Sequence, residues 1–138
     1  MVGGYAADMT RTVAVGAVTE EQRRIYEIVL EAQKRAIDAV RPGKPCKEVD
    51  AVAREYIASQ GYGGCFGHGL GHSLGLEIHE DPRFNQVCGD PLEEGVVITV
   101  EPGIYLPGKF GVRIEDMVVV TKTGCEDLTH SPKELIVL

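Results

Sequence analysis

The sequence predicts an α+β domain in which a mostly antiparallel sheet is covered by two helices. Two stretches with helical apolar periodicity, about 20–40 and 47–59, lie close together in the first half of the chain. Beyond them run short β-rich segments punctuated by glycine and proline, which read as strands and turns. At 138 residues the chain is long enough for one domain, 1–138, with a real hydrophobic core.

The elements follow in order. Residues 11–18 read as a strand, because Thr12, Val13, Val15 and Val18 are β formers. Thr19-Glu-Glu-Gln22 is a capping box, with both side chains placed to satisfy the first free N–H groups of a helix from Glu20 to about Val40. Ile25, Val29, Ala32, Ala36 and Val40 mark its apolar face, and Arg41-Pro42-Gly43 stops it. A second helix is expected over Lys47–Ser59, with Val49, Val52, Ala53, Tyr56 and Ile57 on one side and Gly61 closing it. Seven glycines between Gly61 and Gly75 forbid a stable helix there and point to backbone packed closely against something. Leu74 to Ile78 reads as a short strand and Asp81-Pro82 as a turn. The apolar run Val96–Val100 suits a strand buried on both faces. Gly111–Thr121 reads as one long strand, Lys122-Thr-Gly124 as a turn, and Glu134–Leu138 as a last strand.

Composition removes several function classes. With 14 basic and 21 acidic residues the formal net charge is −7, and no basic stripe offers a surface to nucleic acid or anionic lipid. No apolar stretch reaches the length of a membrane span, and no secretory signal opens the chain. Cys46, Cys65, Cys88 and Cys125 are widely spaced with no Cys-x-x-Cys, as expected of free thiols in a reducing cytoplasm.

Five residues carry a common chemical signal. Asp8, His72, Glu101, Arg113 and Glu115 lie in short segments that together offer carboxylate oxygens and an imidazole, the donors a catalytic divalent cation takes. A carboxylate at the end of an apolar strand is costly to bury without a cation beside it, and Glu101 and Glu115 both sit in such strands. Each has a plainer reading. Asp8 alone is a turn residue, Glu101 a hydrogen-bonded strand end, and Arg113 with Glu115 a surface ion pair on one face of a strand. His68, His72 and His79 fall within twelve residues and include three of the four histidines; each singly is more often structural than a ligand. A rival signal overlaps them. Gly71-His72-Ser73-Leu74-Gly75 has the Gly-x-Ser-x-Gly form of a serine-hydrolase elbow, with Ser73 as nucleophile and His130 as a conceivable partner. That elbow requires a buried strand before Ser73 and a helix after it, and the sequence offers neither.

Four segments in order resemble one family. They are Gly-Tyr-Ala-Ala-Asp8-Met-Thr-Arg-Thr, then His68-Gly-Leu-Gly-His72-Ser-Leu-Gly-Leu-Glu-Ile-His79-Glu, then Leu92 to Tyr105 around Val-Glu101-Pro-Gly, and Gly111-Val-Arg113-Ile-Glu115-Asp. The chain resembles the pita-bread metallopeptidases, in particular the Xaa-Pro aminopeptidase and prolidase (Xaa-Pro dipeptidase) branch, with methionine aminopeptidase more distant. The resemblance covers essentially the whole chain. It implies a divalent metal centre of one or two ions, manganese first, then cobalt or zinc, held here by Asp8, His72, Glu101 and Glu115. It implies that a metal-bound hydroxide cleaves the bond before a proline in second position. It places Glu101 as the group that takes up a proton, His68 and His79 as handlers of substrate and proton, and Arg113 beside the substrate.

The resemblance also carries a departure. The family's first aspartate ligand falls upstream of Asp8, so four of five ligands are expected in this chain, which corresponds to a carboxy-terminal part of the catalytic domain. Two further expectations follow. One is a homodimer, or a complex with a complementing chain. The other is the contrasting function: a catalytically inactive peptidase-like domain that serves as an interaction module.

Overall fold

The computed structural model describes residues 1–138 and has two helices and seven strands. Helix α1 spans Glu20–Ala39 and α2 spans Cys46–Ser59. The capping box is formed as read: the Gln22 N–H donates to the Thr19 hydroxyl at 3.1 Å, and the Thr19 N–H donates to the Gln22 side chain at 2.9 Å. Ile25, Val29, Ala32 and Ala36 of α1 and Val49, Ala53 and Ile57 of α2 are fully buried. Gly61 follows α2 with φ +94°, the left-handed conformation that glycine adopts without a Cβ penalty.

Five strands make an antiparallel sheet in the order β2-β1-β3-β6-β7: β1 Gly71–Ser73, β2 Glu80–Phe84, β3 Val97–Val100, β6 Asp116–Val120 and β7 Cys125–Asp127. A separate hairpin pairs β4 Gly103–Leu106 with β5 Phe110–Arg113. The core joins both helices to the sheet and the hairpin, through residues such as Phe84, Ile98, Ile104, Ile114 and Val118.

Several strand expectations are corrected. Residues 11–18 form no regular strand; the segment has one isolated bridge, Ala14 with Val137, and just before it Thr10 bridges to Glu115. Residues 134–138 likewise keep only the bridge at Val137, because their partner is that same irregular segment. Leu74–Ile78 is not a strand; pairing falls on either side of it, in β1 and β2. Asp81-Pro82 is not a turn but lies inside β2, beside the irregular register between His72 and Ser73. The long strand 111–121 is broken in two. Val112 and Arg113 pair with the β4 hairpin, whereas Asp116 onward pairs with β3. At the break, Ile114 donates to the Pro102 carbonyl and Glu115 exchanges hydrogen bonds with Thr10.

The glycine-dense segment owes its composition to close approach. A Cβ on Gly71 would lie 1.9 Å from the Thr99 carbonyl oxygen, and one on Gly69 would lie 2.7 Å from that of Phe84. Only a residue without a side chain lets β1 lie that near β3.

Candidate metal centre

Four segments deliver three carboxylates and one imidazole to one place. Asp8 comes from the extended amino-terminal segment, His72 from the middle of β1, Glu101 from just after β3, and Glu115 from the break between β5 and β6. One donor atom each from Asp8, His72 and Glu115 lies within 4.8 Å of the others. Glu101 joins through His72, its Oε1 standing 3.2 Å from His72 Nε2, while Asp8 Oδ2 is 3.6 Å from the same nitrogen. His72 Nδ1 faces the Ser73 carbonyl at 3.2 Å. A carbonyl only accepts, so Nδ1 carries a proton, which leaves Nε2 as the nitrogen turned to the acids and the one a cation between them would engage. Thr99 holds the pair in register: its hydroxyl accepts from the His72 N–H at 3.0 Å and donates to Glu101 Oε1 at 2.9 Å.

Glu115 is the most enclosed of the acids, 2% exposed. Burial pushes its carboxyl up to about 7, against a hydrogen bond from Thr10, and the nearby charges of Glu101 and Asp8 push the same way. Arg113 partly offsets them. The plain reading of Arg113 and Glu115 as a direct ion pair is not what the structure contains. The Arg113 Nε donates at 3.2 Å to the Thr10 hydroxyl, which itself donates to the Glu115 carboxylate. Three carboxylates and a free imidazole nitrogen, crowded and only partly balanced, fit a hard or borderline divalent cation.

The other predicted residues line the adjoining cleft of about 310 Å³, where His68, His72, His79, Arg83, Glu101 and Arg113 meet. His79 is exposed, its ring centroid 4.3 Å from that of His72. His68 is held at both nitrogens: Nδ1 donates to the Gly69 carbonyl at 2.8 Å, and Nε2 accepts from the Tyr105 hydroxyl at 2.7 Å. The Tyr105 phenol beside Arg113, with the charges of Glu101 and Glu115, holds its guanidinium above the ordinary arginine value. Tyr105, Thr10 and Thr99 escaped the sequence reading. For Tyr105 a signal existed in the flanking glycines, since a Cβ on Gly103 or Gly111 would strike the Tyr105 ring or hydroxyl at 2.5–2.8 Å. Ser73 does not form a hydrolase elbow; its hydroxyl is spent on the Pro82 carbonyl at 2.7 Å and no helix follows it.

The chain has relatives among known proteins. Residues 1–122 match the pattern of metallopeptidase family M24. The chain belongs to that family. Among M24 relatives, the Xaa-Pro dipeptidase of Pyrococcus furiosus is 56% identical over 132 residues, covering 96% of this chain and 38% of its own length. An Xaa-Pro dipeptidase from Bacillus anthracis superposes with TM-score 0.96 at 52% identity, over 98% of this chain and 38% of that one. The X-Pro aminopeptidase from Thermotoga maritima gives TM-score 0.95 at 50% identity, again over 98% and 38%. The chain therefore spans well under half the length of the M24 proteins it matches, and within that span it has their α+β pita-bread architecture. No helix is long and apolar enough to cross a membrane.

Proposed function

We propose that residues 1–138 form one unit that carries the metal-holding and substrate-facing parts of an Xaa-Pro peptidase, of the dipeptidase or aminopeptidase type. The observation that carries this is the convergence of Asp8, His72, Glu101 and Glu115 beside a cleft that also holds His68, His79 and Arg113. Asp8, His72, Glu101 and Glu115 hold one or two divalent ions, with manganese the first candidate. A bound ion of this kind supplies an activated water and polarises a carbonyl. Glu101, tethered by Thr99 at the cleft wall, is placed to take up a proton. His68 and His79 face the same space and hold or donate a proton at their ring nitrogens. Arg113, fixed by Thr10 and Tyr105, orients the peptide before its proline.

The test is hydrolysis of alanyl-proline with added Mn²⁺, together with metal stoichiometry of the parent and of Glu115→Ala. Turnover with bound metal, both lost in the variant, supports the reading. Bound metal without turnover in a folded sample leaves a metal-binding domain and removes the claim of activity.

A second reading has its own observation. Val13, Val15, Ile136, Val137 and Leu138 are exposed along one margin, with Val15 82% exposed. Such a margin suits a protein contact, so an assembly role as a homodimer or beside a complementing chain is the competing function. A monomer by light scattering at high concentration would count against it.

A further inference from the structure

We propose that the pair Asp50–Arg54 of α2 is a positioning device that fixes the orientation of His68 by gripping the backbone of the loop 66–70. What His68 then does rests on the peptidase reading; the grip itself does not.

Asp50 is fully buried, and Arg54 is half-buried with its side chain 19% exposed. The Arg54 Nε donates to Asp50 Oδ2 at 2.7 Å and Nη2 to Oδ1 at 2.9 Å, a two-point contact. The remaining bonds go to the loop. Arg54 Nη1 donates to the Phe66 carbonyl at 2.9 Å, Nη2 donates to the His68 carbonyl at 2.8 Å, and Asp50 Oδ1 accepts from the Leu70 N–H at 3.0 Å. Alternate residues of the loop are thus pinned to one helix. The Arg54 guanidinium also lies over the Phe66 ring, 4.3 Å from its centroid, and the His68 imidazole meets the same ring edge-on at 5.1 Å.

An ordinary pair spaced four residues apart on a helix does none of this. Arg35 with Glu31 and Lys44 with Glu48 have the same spacing, but both are solvent-facing at one end or both and neither grips a second segment. Such pairs contribute little. The Asp50 carboxylate is instead buried at a cost that hydrogen bonding must offset, and Arg54 and the loop supply that bonding. The consequence reaches the cleft by two routes. The His68 backbone is fixed, so its Nδ1–H meets the Gly69 carbonyl and its Nε2 meets Tyr105. The Leu70 carbonyl accepts the Glu101 N–H at 2.8 Å, which ties the same loop to a metal-facing acid. One imidazole tautomer is thereby held towards the cleft.

The experiment reads His68 directly, by ¹⁵N NMR of the imidazoles and hydrogen exchange of the Leu70 amide. Arg54→Met removes the grip but leaves Asp50 buried and uncompensated, so that variant is prone to unfold. The double variant Asp50→Leu/Arg54→Met replaces the pair by apolar groups of similar volume and keeps the core filled. In the parent, His68 shows a single Nδ1–H tautomer. In the folded double variant its ring nitrogens average between tautomers, and the Leu70 amide exchanges at least about tenfold faster. The His79 signals stay where they were. Arg54→Lys does not restore the parent pattern, because an ammonium lacks the planar fork that spans a carboxylate and two carbonyls. His68 signals and Leu70 protection unchanged in the folded double variant would overturn the proposal, as would full rescue by lysine. Neither readout depends on turnover, so an inactive chain would sink the peptidase reading without touching this one.

Discussion

The Thr10 hydroxyl donates to the Glu115 carboxylate, so the amino-terminal segment stabilises the charged form of the most enclosed acid in the cluster. Metal binding needs that carboxylate deprotonated. Its carboxyl is pushed up to about 7 by burial and by Glu101 and Asp8, so Mn²⁺ affinity should climb as pH rises through about 7. Thr10→Val keeps the shape and removes the donor, and should move that climb to higher pH. Calorimetric titration between pH 6 and 8.5 checks both; a pH-independent affinity would contradict the assignment.

Without metal, the same acid makes the fold less stable at high pH. The Glu115 carboxyl goes from an ordinary 4.5 to about 7 on folding, so the folded chain holds its proton more tightly than the unfolded one. The contribution is most favourable below 4.5, is lost as pH rises towards 7, and above that leaves a deficit of roughly 3 kcal/mol. Glu115→Gln removes the ionisable group and should raise metal-free stability at pH 8 by about 1–3 kcal/mol while abolishing high-affinity Mn²⁺ binding. Urea melts with chelator, against the parent, measure the first effect. A variant less stable than the parent at pH 8 would show that burial and the neighbouring acids penalise the charged carboxylate little.

Asp116, beside Glu115, behaves in the opposite sense. Burial alone would raise its carboxyl, but hydrogen bonds from Lys133, Arg11 and Gln33 outweigh that and hold it below the ordinary aspartate value. Arg11 also donates to the carbonyls of Thr10, Glu115, Ser131 and Pro132, so one guanidinium joins the amino-terminal segment, the break before β6 and the loop after β7. Arg11→Met should cost roughly 3 kcal/mol, since it strips one partner from a buried charge. The folded value is depressed, so the stabilisation is present above the ordinary 3.8 and is lost as pH falls through the folded value. The variant should therefore lose less stability than the parent between pH 5 and 3, which acid titration by circular dichroism records.

These predictions use residues of unequal legibility. Helix α1 was readable because a local device, the Thr19/Gln22 capping box, coincides with an apolar stripe of matching period, whereas α2, which has no side-chain cap, was readable from its stripe and the glycine after it. Asp8, His72, Glu101 and Glu115 were readable because each sits in a motif. The broken strand at Ile114 was hidden, since the apolar residues Val112, Ile114, Val118 and Val120 keep one phase across it and only tertiary partners, Pro102 and Thr10, reveal the change of sheet. β2 was hidden because Asp81-Pro82 carries a turn signal that pairing with β1 overrides. Thr10, Thr99 and Tyr105 have no pattern of their own; their roles exist only in the contacts they make.

Gly71 offers the sharpest test of how tightly the centre is built. A Cβ there would meet the Thr99 carbonyl oxygen at 1.9 Å and the Thr99 hydroxyl at 2.8 Å, both fixed parts of β3. That hydroxyl is the link between His72 and Glu101. Gly71→Ala must therefore push β1 from β3 or turn Thr99 away, and either separates two donors. We expect a stability loss of about 3 kcal/mol, the upper range for overpacking, and a Mn²⁺ affinity at least about tenfold weaker in the fraction that folds. Gly64→Ala is the control: nothing lies within 4 Å of its Cβ position, so its stability should stay within about 0.5 kcal/mol of the parent. Thermal melts and Mn²⁺ titrations of the two variants side by side decide it. Equal behaviour would mean that β1 has slack where the close approach says it has none.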